Sequence, residues 1–299
     1  MTRCPACLRE FREGDFSALA NHFVEEAQKS EAAHVRWLNQ NASRDQLPAE
    51  ELERRLRHFF DCPHGALKQW IKSRFIEKFY GPKPHPFVVA LQHPSRAVLL
   101  GYTIEHQHFL RQWVRSCAYI TARTDETDVV RYELENLNTE FGGFGRNRVS
   151  HYELLIRMGQ SLGVSRSQIL STPPLPSTSY AIAAWNEIAS QLPWLDAMAA
   201  MHSLELIANR NLVKEGASVP YFDPAILKGS EIPKAAQEFL REGYEADVAH
   251  SDEAIDLVAK FATSRGAVES IQSTFLRSID LFDDYLLARL ERADQFEDR

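Results

Sequence analysis

With 299 residues, 44% of them hydrophobic and 25% charged, the chain has the make-up of an ordinary globular protein and can bury most of its apolar surface without staples. A net charge of −7 argues against a nucleic-acid binder, and the absence of any run of about 18 apolar residues argues against a membrane span. The opening MTRCPACLREF lacks the apolar middle of a secretory signal, so the cytoplasm is the expected compartment, and four scattered cysteines make no disulfide scaffold.

At the N-terminus, Cys4-Pro-Ala-Cys7 supplies half of a zinc site, which needs four ligands, and the complement the sequence offers is Cys62-Pro-His64. With so imperfect a partner, a reduced exposed pair at the chain end is favoured over zinc. Leu67 to Tyr80 reads as a helix. It is stopped by Gly81-Pro-Lys-Pro-His-Pro86, where three prolines in six residues fix an extended connector. Residues 1–80 are therefore predicted to be a helical extension packed on a core of residues 81–299. Pro86-Phe-Val-Val-Ala-Leu91 is the short apolar run that could be extended. Val98 to Arg123 and Glu126 to Glu140 are helical in composition. Gly142 to Arg148 is turn-rich, and Val149 to Leu162 is a helix stopped by Gly163. Ser179, a good N-cap type, opens a stretch to about Arg210 that reads as two helices broken near Pro193. Pro233 opens a helix to about His250. The clearest helix comes last, with Val268, Ile271, Phe275, Ile279, Phe282, Leu286 and Leu290 on one stripe. Gly266 precedes it, and Arg289 and Arg292 sit near its end, where cations suit the helix dipole. The fold class is all-α.

Acidic and imidazole side chains recur on these apolar helices. Glu140 ends one helix and His151 opens the next. Glu205 lies among apolar neighbours. Asp247 and His250 are three apart and share a helix face. Carboxylates and imidazoles from facing helices are how bundles hold paired iron or manganese. No G-x-G-x-x-G, Walker or G-x-S-x-G word is present, so nucleotide cradles and a serine elbow are unsupported.

The words ENLNTEFGG, SHYELL, MHSLE and EADVAH, in this order over roughly residues 95–260, resemble the heme-oxygenase-like diiron oxidases and oxygenases. These are related in fold to thiaminase-like and pyrroloquinoline-quinone-synthase-like proteins, and the likeness is strongest to the group typified by the chlamydial protein associating with death domains. The resemblance implies a heme-oxygenase-like bundle, with Glu140, His151, Glu205, Asp247 and His250 as ligands of two ferrous ions. The first histidine of the family's H-x3-D-x2-H word falls on Gly243, which offers no donor, so the second iron would be held weakly or His202 would substitute. Glu105, His108, Tyr102 and Tyr152 are further candidates for metal or substrate contact, and no separate catalytic residue is singled out. The implied activity is O2-dependent oxidation of a small amine- or amino-acid-derived metabolite, by N-oxygenation, C–C cleavage or desaturation, in a biosynthetic pathway. It leaves room for an external electron donor and a homodimer, and implies neither nucleic acid nor membrane as partner. The competing expectations are a metal-free acid–base enzyme using Glu205 and His202, and a non-enzymatic binding protein with residues 1–80 as its partner surface.

Overall fold

The computed structural model describes residues 1–142 and 149–297, with the backbone alone for 245–250. Its N-terminal unit opens with a two-stranded antiparallel hairpin, β1 (Thr2–Arg3) against β2 (Glu10–Phe11), in which Thr2 faces Phe11. Helices α1 (Phe16–Gln28), α2 (Ala32–Asn41) and α3 (Ala49–Phe59) follow. They close around Phe23 and Trp37, whose rings stack at 4.7 Å. Helices α4 (Leu67–Tyr80) and α5 (Pro86–Ala90) lead into the bundle. The bundle comprises α6 (Arg96–Arg123), α7 (Thr127–Leu137), α8 (His151–Ser161), α9 (Arg166–Ser171), α10 (Pro176–Gln191), α11 (Trp194–His202), α12 (Lys234–Phe261) and α13 (Arg265–Asp294).

Local chemistry sets these boundaries. Ser95, Ser150 and Ser264 cap α6, α8 and α13, each accepting a hydrogen bond from the backbone N–H three residues on. The run from Pro86 is a short helix rather than an extended segment. Proline at a first helical position lacks only a donor that the helix leaves unpaired anyway, and the His85 ring accepts from the Phe87 N–H. The same rule moves the start of α10 from Ser179 back to Pro176, and Gly266 lies inside α13, not before it.

The long helices α6 and α13 form the centre, with α10 and α11 packed on both. Gly101 makes their crossing close. A Cβ there would sit 2.1 Å from the Arg289 carbonyl oxygen, so any larger residue would force the helices apart. Helix α12 packs on α8 and on the 3₁₀ segment Ser203–Ala208, closing the far side. The N-terminal unit docks on the bundle through polar contacts. Arg3 donates to Asp196 (2.9 Å), Thr2 and the Gly14 N–H both donate to Glu269, and Arg36 pairs with Asp283 (2.6 Å) and Asp284 (2.5 Å).

Candidate functional site

The bundle encloses a cavity with about 660 Å³ of empty space including its mouth, walled by α6, α12, α13 and the segments around Glu140, His151 and Glu205. Helix α7 ends by widening into a π turn, Asn138–Gly142, which carries Glu140. Such turns are frequent at functional sites because they re-aim side chains. His151, just after the Ser150 cap, meets it, with Nδ1 3.2 Å from Glu140 Oε1. The other carboxylate oxygen of Glu140, Oε2, is buried and has no hydrogen-bond partner among the described residues. Burying a carboxylate oxygen unpaired is costly, so this atom wants a cation or a donor.

Glu205 enters from the 3₁₀ segment. Tyr132 donates to its Oε2 at 3.2 Å, and His202 Nδ1 lies 3.5 Å from Oε1. Behind it His202 Nε2 donates to the fully buried Glu133 (2.8 Å). Burial opposes the charge of His202, but Glu133 and Glu205 together outweigh it and push its pKa up to about 10. His202 is thus an imidazolium that fixes Glu205 from behind. Cys117 completes this buried cluster, with Cys117, Glu133 and His202 presenting ligating atoms within 4.8 Å of one another.

Of the ligand positions expected from the sequence, Glu140, His151 and Glu205 line this one cavity, together with Gly243 and Tyr102. Positions 247 and 250 lie on α12, but the side chains of Asp247 and His250 are outside the described residues. The other expected contacts go elsewhere. Glu105 is fully buried away from the cavity, accepting from Arg292 (2.7 Å) and from the Leu175 N–H (3.1 Å). His108 Nε2 donates to the Thr172 carbonyl (3.0 Å). Tyr152 stacks on Phe141 and accepts from Arg111. The reason is helix phase. Tyr102, His106, Phe109, Leu110 and Trp113 share the cavity face of α6, so the imidazole facing the cavity is His106.

The sequence reading missed His106, Tyr221 and Arg289, all of them cavity walls. Arg289 was expected as a cation near a helix end. It is instead 1% exposed, while Arg292, one turn on, takes the buried Glu105. Arg289 donates to Tyr221 (3.1 Å), Tyr285 (2.8 Å) and His106 Nδ1 (3.0 Å). Because a guanidinium can only donate, His106 Nδ1 must be an acceptor, which leaves its proton on Nε2. Burial, then the Arg289 charge, drives the His106 pKa well below its ordinary value, so the ring is neutral.

A second cluster lies in the N-terminal unit. Cys4, Cys7, His22 and His34 bring their ligating atoms within 4.8 Å of one another. Cys4 Sγ is 3.5 Å from His34 Nε2, Cys7 Sγ is 3.4 Å from His22 Nε2, and the two Nε2 atoms are 3.0 Å apart. A tetrahedron built on ordinary Zn–S and Zn–N bonds has edges of roughly 3.3–3.8 Å, close to these spacings. His34 Nδ1 is held by Glu31, the kind of outer contact that fixes a metal-binding imidazole. The hydrogen bond from Cys4, against burial and with help from His34, lowers the Cys7 pKa to about 3, so Cys7 is a thiolate. The partners of the CxxC word are therefore His22 and His34, not Cys62 and His64, and Cys4 is fully buried rather than at a loose end. Cys62 and His64 line a separate groove beside α13.

Among the described residues no helix is long and apolar enough to cross a membrane. No curated protein matches the chain. Among solved structures, a domain of unknown function with a heme oxygenase-like fold from Shewanella denitrificans OS217 is similar (TM-score 0.56, 15% identity, 85% of this chain and 96% of that one). So are a CADD-like protein of unknown function from Nostoc punctiforme PCC 73102 (0.56, 19%, 77% and 96%) and a TenA family transcription regulator from Silicibacter sp. TM1040 (0.52, 13%, 75% and 98%). These likenesses establish a heme oxygenase-like fold. Residues 1–61 match the C2H2 type zinc-finger pattern. Residues 70–293 match the TENA/THI-4/PQQC pattern, and on that match the chain belongs to the TENA/THI-4/PQQC family.

Proposed function

We propose that the protein is a non-heme iron oxidase or oxygenase that uses O2 to oxidise a small amine- or amino-acid-derived metabolite. The observation that carries this reading is the orphaned Glu140 Oε2, buried beside His151 in a cavity that Glu205 also enters. Two carboxylates and an imidazole from separate segments are the donor set that suits ferrous iron, and Asp247 and His250 would complete it from α12. Gly243 removes one donor and leaves an open position, as catalytic rather than structural metal sites do. When bound, the iron would supply the activation of dioxygen.

The chain's own residues do the rest. Glu140 and His151 approach from the π turn and the start of α8. The imidazolium of His202 and the Tyr132 hydroxyl hold both oxygens of Glu205, fixing its rotamer. Trp113, Phe109, Phe239 and Phe282 line the space and give it largely apolar walls.

The second metal in this reading is zinc at Cys4, Cys7, His22 and His34, with a structural role. The four-donor set is closed, leaves no position for substrate, and lies in the unit that docks on α11 and α13.

The test is metal content after anaerobic ferrous loading. About two irons per chain are expected, as in other carboxylate-bridged helical sites, with oxygen uptake that depends on them. No iron retention would favour acid–base chemistry at Glu205 on a metal-free fold.

A further inference from the structure

Among the described residues Arg289 is the one guanidinium in the cavity wall, and it is buried without a carboxylate partner. The contrast with Arg292 makes this meaningful. One turn further along α13, Arg292 is paired with the buried carboxylate of Glu105, which also accepts from the Leu175 N–H. Arg289 instead meets neutral groups. Its guanidinium lies 4.1 Å from the Tyr102 ring centroid, 4.6 Å from Tyr285 and 4.8 Å from Phe87. Those rings soften the cost of desolvating a cation without cancelling its charge.

The hydrogen-bond inventory points the same way. A guanidinium has five N–H donors. Three are spent on Tyr221, Tyr285 and His106, and Nε is buried with no partner. The bonds run outward from the cation. Arg289 donates to Tyr221, and Tyr221 donates to Tyr102 (3.1 Å), so Tyr102 keeps its own hydroxyl proton for another acceptor. On the other side Arg289 donates to Tyr285 and to His106 Nδ1, which leaves the His106 proton on Nε2, with the Tyr285 hydroxyl 2.8 Å from the same nitrogen. The cluster carries a fixed positive charge, has donors to spare, and opens on the same space as Glu140, His151 and Glu205.

We infer that Arg289, with Tyr102 and His106, binds the carboxylate of the substrate, which makes that substrate a small amphipathic acid. The carboxylate sits against α13, and the apolar remainder lies along Phe109, Trp113 and Phe239 toward the candidate metal ligands. This assignment rests on the cavity being the active site and deepens that reading. It does not depend on iron being present.

The experiment is calorimetric titration of the full chain with phenylacetate and with its neutral isostere phenylacetamide, before and after ferrous loading. The acid is expected to bind at least tenfold more tightly than the amide in the iron-free protein, the scale of one charge-assisted hydrogen bond. Arg289→Met abolishes that preference. Arg289→Lys, which keeps the charge in the same pocket but loses the planar fork, reduces it and guards against a misfolded methionine variant. Equal affinity for acid and amide, no binding of either, or a preference that survives in Arg289→Met would overturn the assignment. A preference that appears only after ferrous loading would place the carboxylate on the metal and overturn it equally. Failure of iron loading with the acid preference intact would instead count against the oxidase reading alone.

Discussion

The two candidate metal-binding clusters are built on opposite plans. The N-terminal cradle draws four donors from residues 4 to 34, packed to tetrahedral spacing, with no gap among them. The cavity draws Glu140, His151 and Glu205 from segments far apart in sequence, leaves a carboxylate oxygen unpaired, and sets Gly243 where a donor could stand. A closed set would satisfy its ion and staple a small unit. An open set keeps a position for chemistry, and relies on a second layer such as His202, Tyr132 and Glu133 to hold its ligands still. On the proposed reading, the first plan directs metal affinity to folding and the second to reactivity.

The comparison can be broken most forcefully at the cradle. Cys4→Ser removes a buried ligand from a site whose metal affinity is worth on the order of 10 kcal/mol in small zinc modules. The expected result is loss of bound zinc and rapid proteolysis within residues 1–60, with the bundle from residue 70 onward resisting longer. Retained zinc, or unchanged proteolysis, would show that the cradle does not organise the unit.

The cavity should respond in the other direction. Glu140→Gln keeps the shape of the side chain but removes the charge that attracts a cation. Iron retained after ferrous loading is expected to fall at least tenfold, at or above the effect of losing an outer-layer contact. The melting temperature should hold or rise, because a charge buried without a partner on one oxygen is removed. A clear drop in melting temperature with iron retention unchanged would mean that Glu140 serves the fold. Gly243→His is the converse change, supplying the missing donor. Slower loss of iron to a chelator is expected, and an unchanged rate would place position 243 outside the metal's reach.

The seam between the two regions gives the smallest effect. Asp283 pairs with Arg36 of α2 and with Lys78 and His85. Burial pushes its carboxyl up, but the close approach of His85 Nε2–H and the charges of Lys78 and Arg36 outweigh it and hold the pKa at about 2. A carboxyl depressed in the folded state stabilises it above its unfolded value near 4, and that contribution disappears as pH falls from about 4 to 2. It amounts to roughly 2 kcal/mol. Asp283→Asn should therefore lower stability at neutral pH by about that much and flatten the acid limb of the stability curve. An unaltered acid limb would remove Asp283 from the account.

The same two regions show what the sequence made legible. The long helices were readable because a stripe such as Val268 to Leu290 can only be a helix face, and α13 follows it. Glu140, His151 and Glu205 are candidates on apolar segments, but each is weak alone, and it is the resemblance of the words around them, in their order, that picks them out. The cradle was half readable. Cys4 and Cys7 carry a familiar spacing, but His22 and His34 lie on different helices twelve residues apart, and only the packing of α1 on α2 brings them together. Arg289 was hidden for a related reason. A basic residue in the last turns of a helix ordinarily faces water, and nothing local says that Gly101 lets α6 come close enough to bury it. The candidates on α6, Glu105 and His108, flank His106, the imidazole that faces the cavity, a difference of helix phase that periodicity alone could not resolve on a helix buried along most of its length.

The central claim, two metals held on two plans, is tested most directly by elemental analysis of the wild type, Glu205→Gln and Cys7→Ser after exposure to zinc and then anaerobic ferrous iron. The account predicts zinc and iron in the wild type, zinc without iron in Glu205→Gln, and iron without zinc in Cys7→Ser. Iron absent from the wild type, or both metals lost together in each variant, would contradict it.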